Sequence, residues 1–406
     1  MVKKDVSVQV NLDDALDNLL KTSEMESVQK LQPRDRKADW LPGVTWNGDD
    51  GSITTQPMEG ESAPDWSGVL RMWGLDPEKF SVVEPVLFNV WGDTQGVLNR
   101  QWKGKVIRKG AKENADIESL IQEIKKHKPK QPKQFTGSAS LVVCASDWQT
   151  GKRDGDGLKG LVGRWLDAID DVEFRLKELK KIGRPIDSIT VLCLGDLVEG
   201  CDGHYDIQTF TVEVDRRDQV KIARRLLRDA LIRWSKIVPS ITVAAIGGNH
   251  GENRKNGKAF TTLGDNDDVA LVESVAEIFQ ANPDAYGHIK FAIPKDELSL
   301  TLEVHGKIIG ITHGHLARSG NGVEGKLRRW IADQTLGRQS IGDCDILVTG
   351  HYHSFKIADW GGVKWLQAPS LDGGSVWWRQ STGEIADVGV LTFVVSNQGV
   401  TDIQLL

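Results

Sequence analysis

Beyond about residue 137, short apolar runs alternate with longer stretches in which apolar residues recur every three or four positions. The short runs are typical of buried strands, and the longer stretches are typical of amphipathic helices. The predicted strands are 140–145, 188–194, 241–246, 289–293, 298–304, 307–312 and 345–349. The predicted helices are 158–182, 214–237, 269–279 and 323–336. Since the C-terminal part is again rich in strands, the pattern predicts an α/β fold with a layered β-sandwich flanked by helices.

The N-terminal part of the chain has a weaker pattern. Residues 1–60 are polar and rich in Gly and Asp, and we expect a mobile segment with a short helix at 13–20. Residues 61–110 predict a small Trp-rich α+β module, in which a short helix precedes two strand-like stretches joined by turn residues at 92–96. Its aromatic residues either form its core or lie on its surface to stack on bases. The tryptophans expected in the core are Trp73, Trp91 and Trp102.

Residues 111–136 predict a basic, proline-containing linker that leads to a domain at 137–406. Helical spacing at 117–124 gives way to prolines and lysines at 125–133, where a regular helix cannot continue. The segment either acts as a solvated tether or contacts nucleic-acid phosphates through its lysines.

Composition and charge are those of an ordinary globular protein. The chain has 406 residues, of which 39% are hydrophobic and 27% charged, and its net charge of −6 gives no overall nucleic-acid signature. No apolar stretch follows the first residues, so we expect no secretory signal, and no run approaches the ~18 apolar residues that a membrane span needs. We therefore expect a cytoplasmic protein without a membrane partner. Its cysteines lack CxxC spacing and are expected to be reduced thiols: Cys144, Cys193, Cys201 and Cys344.

Polar motifs directly follow several of the predicted strands. They are SDWQ at 146–149, GDLVE at 195–199, GNH at 248–250, HGH at 313–315 and GHYH at 350–353. In open α/β sheets the loops after the strands hold ligands, because the rigid strands fix their positions. Motifs of this kind after separate strands therefore indicate one composite site.

The side chains of these motifs form a ligand set for divalent metal ions. The candidate ligands are carboxylates, an amide and imidazoles: Asp147, Asp196, Asn249, His313, His351 and His353. Mixed oxygen and nitrogen ligands suit Mn²⁺, Fe²⁺ or Zn²⁺ better than Ca²⁺. Two such ions held roughly 3.5–4 Å apart can clamp the oxygens of a phosphoryl group during its displacement.

His250 directly follows Asn249 and has a different expected role. An imidazole placed over a phosphate can donate a proton to a leaving oxygen. We expect Glu199 or Glu252 to orient this ring.

The motifs, in this order, resemble those of the calcineurin-like metallophosphoesterase superfamily, whose pattern is D-x-H, GD-x-x-[DE], GNH, a single H and GH-x-H. The compact GDLVE, the HGH and the GHYH look most like the DNA-repair nuclease branch of Mre11 and SbcD, and they are also similar to phage-encoded phosphoesterases. The resemblance covers about residues 137–370. It implies a metallophosphoesterase β-sandwich and two divalent ions, with Mn²⁺ expected and Fe²⁺, Zn²⁺ or Mg²⁺ as alternatives.

The resemblance also implies roles for individual residues. One ion would be held by Asp147, Asp196 and His353. The other ion would be held by Asp196, Asn249, His313 and His351. His250 would be the catalytic imidazole.

Gln149 departs from the superfamily pattern, which has histidine at this position. A glutamine oxygen can ligate a metal ion, but it is a poorer ligand for soft, late transition metals. We expect Gln149 either to weaken the first metal position or to contact only water there. A Gln149→His variant with no gain in metal affinity would exclude the first alternative.

Several further residues are candidates for contact with the substrate. Arg254 and Lys255 follow the GNH motif on a loop and are expected to contact phosphate. His204 is expected to line the cleft, and His315 either approaches the site or caps its loop. Trp148 is expected to pack against the sheet. The dipeptide at 151–152 is not a phosphate-binding loop, because the upstream glycine spacing is missing.

These observations predict a phosphodiester hydrolase that depends on two metal ions, most simply a nuclease acting on DNA or RNA. A phosphodiesterase for small substrates such as cyclic nucleotides is the alternative, and a binding or scaffold protein with a degenerate site is a third reading. Nucleic acid is the expected partner. The nuclease branch also implies an ATPase partner or a homodimer, and a phage origin would place the protein in the host cytoplasm.

Overall fold

The structure is a computed structural model. It describes residues 42–46, 50–59, 64–77, 80–92, 98–108, 111–128, 132, 135, 137–205, 208–255, 257–374, 379–380, 383, 385 and 387–406. The described residues form two compact units, one ending at Ser119 and one running from Leu120 to Leu406. The helix predicted at 13–20 lies outside the described residues.

The smaller unit contains one antiparallel sheet and a short helix. Its strands pair in the order β1-β2-β5-β3, and β4 pairs with β5. The strands are β1 (Gly43–Trp46), β2 (Asp50–Thr54), β3 (Met58–Glu59), β4 (Phe80–Gly92) and β5 (Leu98–Arg108). Helix α1 (Trp66–Met72) begins after Asp65, whose side chain accepts hydrogen bonds from two backbone N–H groups of the first turn.

Side chains from the sheet and from α1 form the core of this unit. The buried residues are Ile53, Val69, Leu70, Leu75, Phe80 and Val106. Strands β1 to β3 lie within the segment that was expected to be mobile, and they are ordered here because Ile53 inserts a fully buried side chain into this core. Trp73 packs partly buried against the core. Trp102 is half-buried, and the side chain of Trp91 lies outside the described residues.

The larger unit begins within helix α2 (Ala111–Lys125) and contains two mixed sheets. The six-stranded sheet has the order β11-β8-β7-β6-β17-β18, and the five-stranded sheet has the order β12-β13-β14-β16-β15. The strands of the first sheet are β6 (Ala139–Ala145), β7 (Ser188–Cys193), β8 (Ser240–Ala245), β11 (Ile289–Ala292), β17 (Leu391–Ser396) and β18 (Gly399–Leu405). Those of the second are β12 (Ser299–Val304), β13 (Lys307–Thr312), β14 (Ile346–Thr349), β15 (Lys356–Asp359) and β16 (Lys364–Gln367). A short hairpin is formed by β9 (Arg254–Lys255) and β10 (Lys258–Ala259).

The two sheets pack face to face on a shared apolar core. Residues two apart on each strand point to the same side, so Val142 and Cys144 of β6 enter the same core as Ile309 and Ile311 of β13. Phe393 of β17 is fully buried in the same cluster. The predicted β-sandwich is therefore confirmed.

Helices cover the outer faces of both sheets. Leu141 and Val143, which alternate with the inner residues of β6, are also buried. On this side α5 (Asp267–Gln280) contacts β8, α4 (Arg216–Trp234) and α6 (Pro283–Tyr286) both contact α5, and α3 (Gly157–Lys181) contacts α4. Helix α7 (Gly322–Leu336) packs on the other sheet through Leu327 and Ile331. Within the described ranges, no helix has the length and apolar character to cross a membrane.

Trp148 packs inside this layered core, as predicted. It is fully buried, and its ring centroid lies 4.5 Å from that of Trp165. Trp165 continues the contact to Trp234 at 6.1 Å between ring centroids. The three rings fix the backbone of the SDWQ motif between the sheet and the helices.

Candidate metal centre

The predicted motifs meet at one edge of the sandwich. Strands β6, β7 and β8 are parallel neighbours, and β13 and β14 are parallel neighbours in the other sheet. Their carboxyl ends therefore point the same way within each sheet, and the motif that follows each strand lies at that edge. Backbone hydrogen bonds join the loops: Asp147 N–H donates to Gly195 O at 3.1 Å, and Gly350 N–H donates to His313 O at 3.0 Å.

Four side chains converge in what we call the Asp196 cluster: Asp196, Asn249, His313 and His351. Nε2 of His313 lies 3.0 Å from Oδ2 of Asp196 and 3.2 Å from Oδ1 of Asn249. Ligand atoms of Asp196, His313 and His351 all lie within 4.8 Å of one another. No second such group of three His, Cys, Asp or Glu residues occurs among the described residues.

The donor chemistry of this cluster fits a divalent metal ion. Nδ1–H of His313 donates to the carbonyl of Leu194 at 2.8 Å, which leaves the lone pair of Nε2 pointing into the cluster. A carboxylate oxygen, an amide oxygen and an imidazole nitrogen thus face one another about 3 Å apart. That is the spacing of neighbouring ligands whose bonds to a shared cation are roughly 2.1 Å long.

A second and smaller group of donors lies beside the cluster. Nε2 of His353 lies 3.3 Å from Oδ1 of Asp147, and we call these two residues the Asp147–His353 pair. The carboxylate of Asp147 also accepts hydrogen bonds from the backbone N–H of His351 at 3.0 Å and from the hydroxyl of Ser146 at 2.5 Å. A Cβ atom at Gly350 would collide with the carboxylate, so this close approach requires glycine.

Gln149 does not point its oxygen at either group of donors. Its Oε1 accepts a hydrogen bond from the ammonium group of Lys152 at 2.7 Å, and its Nε2 lies 3.3 Å from Nε2 of His250. Lys152 also forms an ion pair with the buried carboxylate of Asp372. The assignment of Gln149 as a metal ligand stays a prediction, and Lys152 and Asp372 were not among the predicted site residues.

The backbone at the site is strained. Eight non-glycine residues of the described part of the chain have positive φ, and five of them belong to the predicted site. These five are Asp147 (φ 49°), Gln149 (φ 45°), Asp196 (φ 53°), His351 (φ 73°) and His353 (φ 51°). Such conformations cost on the order of 1 kcal/mol or more each, and they persist where the surrounding structure holds them for function.

The ring of His250 is held by Glu199 through Nδ1, and its Nε2 lies beside Gln149. Its Nδ1 lies 2.9 Å from the backbone oxygen of Glu199 and can donate a proton to it, which fixes the tautomer. The carboxylate of Glu199 lies 3.3 Å from the same nitrogen. On one face the ring stacks on His204, with 4.1 Å between ring centroids and 4° between ring planes.

Charge within the site shifts several pKa values. Burial alone would lower the pKa of His250, but the charges of Asp196 and Glu199 outweigh it and raise this pKa to about 10. Burial likewise opposes charge on His313, yet Asp196 raises its pKa to about 9. Burial and the neighbouring His313 lower the pKa of His351 to about 4. A bound divalent cation would oppose the protonated imidazoles that these carboxylates favour.

The remaining candidates lie around the edge of the centre. The guanidinium group of Arg254 pairs with the carboxylate of Glu252 at 2.8 Å, so Glu252 faces Arg254 rather than His250. The ring of His315 lies 3.9 Å from Glu252 and is mostly buried. The side chain of Lys255 lies outside the described residues.

One buried carboxylate that the sequence analysis missed holds two of the motif loops. Oδ1 of Asp268 accepts from the N–H groups of Leu197 and Val198 at 2.8 and 3.2 Å. Its Oδ2 accepts from those of Asp196 and Gly248 at 2.8 and 2.9 Å. Burial and the charge of Asp196 raise the pKa of Asp268, whereas these N–H donors stabilise the carboxylate.

The position of Asp268 at the start of a predicted helix is a sequence feature that could have marked it as a capping residue. It lies in the first turn of α5, two residues after the N-cap residue Asn266. Asn266 in turn donates from its side chain to the carbonyl of Gly248 at 2.8 Å. A run of Asn and Asp residues at a helix start can be recognised, but its distant partners cannot be read from it.

Neither a protein-family model nor a curated protein sequence matches this chain. Among solved structures, a predicted phosphoesterase from Streptococcus pneumoniae is 14% identical, with 64% of this chain and 86% of that chain covered and a TM-score of 0.26. An archaeal phosphodiesterase is 10% identical, with 66% and 99% covered and a TM-score of 0.29. Vacuolar protein sorting 29 from Cryptosporidium parvum is 14% identical, with 66% and 98% covered and a TM-score of 0.28. Likenesses this low carry no weight for function, which has to follow from the side chains.

Replacing Asp268 by asparagine tests whether this carboxylate organises the centre. The amide group would face backbone N–H donors, and each donor left without an acceptor costs about 1–3 kcal/mol of unfolding free energy. We expect metal affinity to fall roughly 10–100-fold as well, because the loops that carry the ligands would shift. Urea denaturation and calorimetric Mn²⁺ titration measure the two effects.

The matched control is Asp171→Asn, at an exposed aspartate of α3. It should change the unfolding free energy by no more than about 0.5 kcal/mol. If Asp268→Asn behaves like this control in both measurements, Asp268 does not hold the centre together.

Proposed function

We propose that this chain is a metal-dependent phosphodiester hydrolase whose substrate is a nucleic acid. The observation that carries the reaction class is the Asp196 cluster, where a buried carboxylate, an amide oxygen and imidazole nitrogens meet. A buried carboxylate needs positive charge beside it, and a divalent metal ion can supply that charge to all of these donors at once.

The cluster and the residues around it would have different roles in hydrolysis. When bound, a divalent ion supplies Lewis acidity toward the oxygens of a phosphodiester. His250, whose Nδ1 is held by Glu199, would exchange a proton with an oxygen of the substrate through Nε2. The backbone oxygen of Glu199 holds the other ring nitrogen, and the stacked ring of His204 limits rotation of the imidazole.

Exposed aromatic residues on the loops next to His250 support a nucleic-acid substrate. Tyr205, Phe210 and Phe260 have 41%, 77% and 62% of their surface exposed. Every base offers a face on which an aromatic ring can stack, and one such contact contributes about 1–3 kcal/mol. A small phosphodiester would not need aromatic side chains outside the centre.

These loops are tied to the centre by specific contacts. The hydroxyl of Tyr205 donates to the carboxylate of Glu199 at 2.7 Å. The guanidinium group of Arg153 donates to the carbonyls of Phe210 and Val212 at 3.3 and 3.2 Å, which places an exposed positive charge beside the most exposed of the aromatic rings. Cationic and aromatic groups together are the features that single-stranded nucleic acid requires.

Hydrolysis by the purified chain tests the reaction class. With Mn²⁺ present, we expect cleavage of single-stranded DNA or RNA and of bis-p-nitrophenyl phosphate. Asp196→Asn should lower the rate by more than roughly 100-fold, because a neutral amide holds a divalent ion far less tightly than a carboxylate does. Asp171→Asn should retain the wild-type rate, and equal rates for Asp196→Asn and wild type would exclude a metal mechanism at this cluster.

Binding of an oligonucleotide tests the substrate class separately from cleavage. In an Asp196→Asn background, Phe210→Ala should weaken binding of a single-stranded oligonucleotide roughly 5–100-fold, which corresponds to one stacked base. Phe174→Ala, at a phenylalanine of α3 that is 60% exposed, should have no effect. Fluorescence anisotropy gives both affinities.

The salt dependence of the same binding distinguishes polynucleotides from small substrates. Affinity for a polynucleotide should fall steeply with salt, because each phosphate contact releases counterions. The small-substrate alternative would be favoured if the affinity changed neither with salt nor in Phe210→Ala and the protein cleaved cyclic nucleotides.

A further inference from the structure

We infer that Lys152 takes the place of one metal ion, so that this chain binds a single divalent ion at the Asp196 cluster. The inference rests on the proposed metal-dependent function and specifies the ion content of that same centre. It concerns the Asp147–His353 pair, where the donors present do not fit a second ion.

The first reason is the direction of Gln149. Its oxygen, the only atom of this side chain that could bind a metal, already accepts a hydrogen bond from Lys152 at 2.7 Å. Its amide nitrogen lies against His250. Gln149 therefore connects an ammonium group to an imidazole through its two polar atoms, and its oxygen is already committed to the ammonium group.

The second reason is the charge of Lys152 itself. The ammonium group is largely buried, with 12% of the side chain exposed, and it pairs with Asp372, whose side chain is 4% exposed. Oδ1 of Asp372 lies 3.8 Å from Nδ1 of His353. Asp372 thus faces both the ammonium group and the ring that would hold the second ion, so the position already contains a fixed positive charge. A divalent ion added there would be repelled by it.

The third reason is the number of donors that meet. Three metal-binding residues come within 4.8 Å of one another at the Asp196 cluster. At the other position Asp147 and His353 face each other at 3.3 Å, and among the described residues no third His, Cys, Asp or Glu, the carboxylate of Asp196 included, brings a ligand atom within 4.8 Å of both. Two protein ligands beside a lysine make a poor site for a tightly held ion.

Lys152 gives this position a defined chemical role. An ammonium group acts as a compact point charge, and it can stabilise negative charge that develops on a phosphoryl oxygen. Unlike a metal ion, this charge cannot dissociate into solvent, because it belongs to a side chain that Gln149 and Asp372 hold in place. One ion and one lysine would then provide the two positive charges of the centre.

Metal stoichiometry tests this assignment without any activity measurement. The full chain is stripped with a chelator, equilibrated with Mn²⁺, separated from free ion and analysed by elemental analysis and calorimetry. Wild type should bind one Mn²⁺ per chain. The double variant Lys152→Met/Gln149→His, which removes the charge and supplies a ligand, should bind two and show a spin-coupled Mn²⁺ pair by electron paramagnetic resonance.

Two further variants control for charge and folding. Lys152→Arg keeps the positive charge and should bind one ion. Lys181→Met makes the same chemical change at an exposed lysine at the end of α3, and it should also bind one. Circular dichroism shows whether each variant is folded. If the double variant is unfolded, the number of ions bound by wild type still decides the question.

The outcomes separate this inference from the proposed function. Two equivalents in wild type, or one equivalent in a folded double variant, overturn the role of Lys152 and leave metal-dependent hydrolysis standing. One equivalent in wild type without hydrolysis of any phosphodiester overturns the proposed function alone. No bound ion in wild type overturns both.

Discussion

The centre depends on one buried carboxylate that binds the backbone of two loops. Asp268 accepts hydrogen bonds from four N–H groups that follow β7 and β8, and it thereby sets the distance between Asp196 and Asn249. Both residues contribute oxygen atoms to the Asp196 cluster, and His313 reaches them from the other sheet. The sandwich brings the strand ends to one edge, and the hydrogen bonds of Asp268 fix the positions of the ligands there.

The second constraint is the balance of charge at this edge. Several carboxylates are almost completely buried there: Asp147, Asp196, Glu199, Asp268 and Asp372. Imidazoles and one lysine lie against them, and positive charge has to offset the cost of removing carboxylates from water. We propose that a divalent ion supplies this positive charge at the Asp196 cluster and that the ammonium group of Lys152 supplies it beside Asp372. This proposal accounts for Gln149 at the position where the superfamily pattern has histidine.

Much of the centre could be predicted because its residues follow strands in short motifs. The motifs SDWQ, GDLVE, GNH, HGH and GHYH after apolar runs indicated which side chains meet at this edge, and the resemblance to the superfamily supplied their expected roles. Lys152 was considered only as part of a phosphate-binding loop, and its partner Asp372 lies 220 positions away in the sequence. The strands at 43–59 were missed because their short, polar pattern is ordered by burial of Ile53 in a core that no local signal reveals.

Anomalous diffraction from crystals grown with Mn²⁺ tests the central claim most directly. A single strong peak should lie among Asp196, Asn249, His313 and His351, with the Lys152 side chain still bound to Gln149 and Asp372. A peak between Asp147 and His353, or no peak beside Asp196, would contradict this account of the centre.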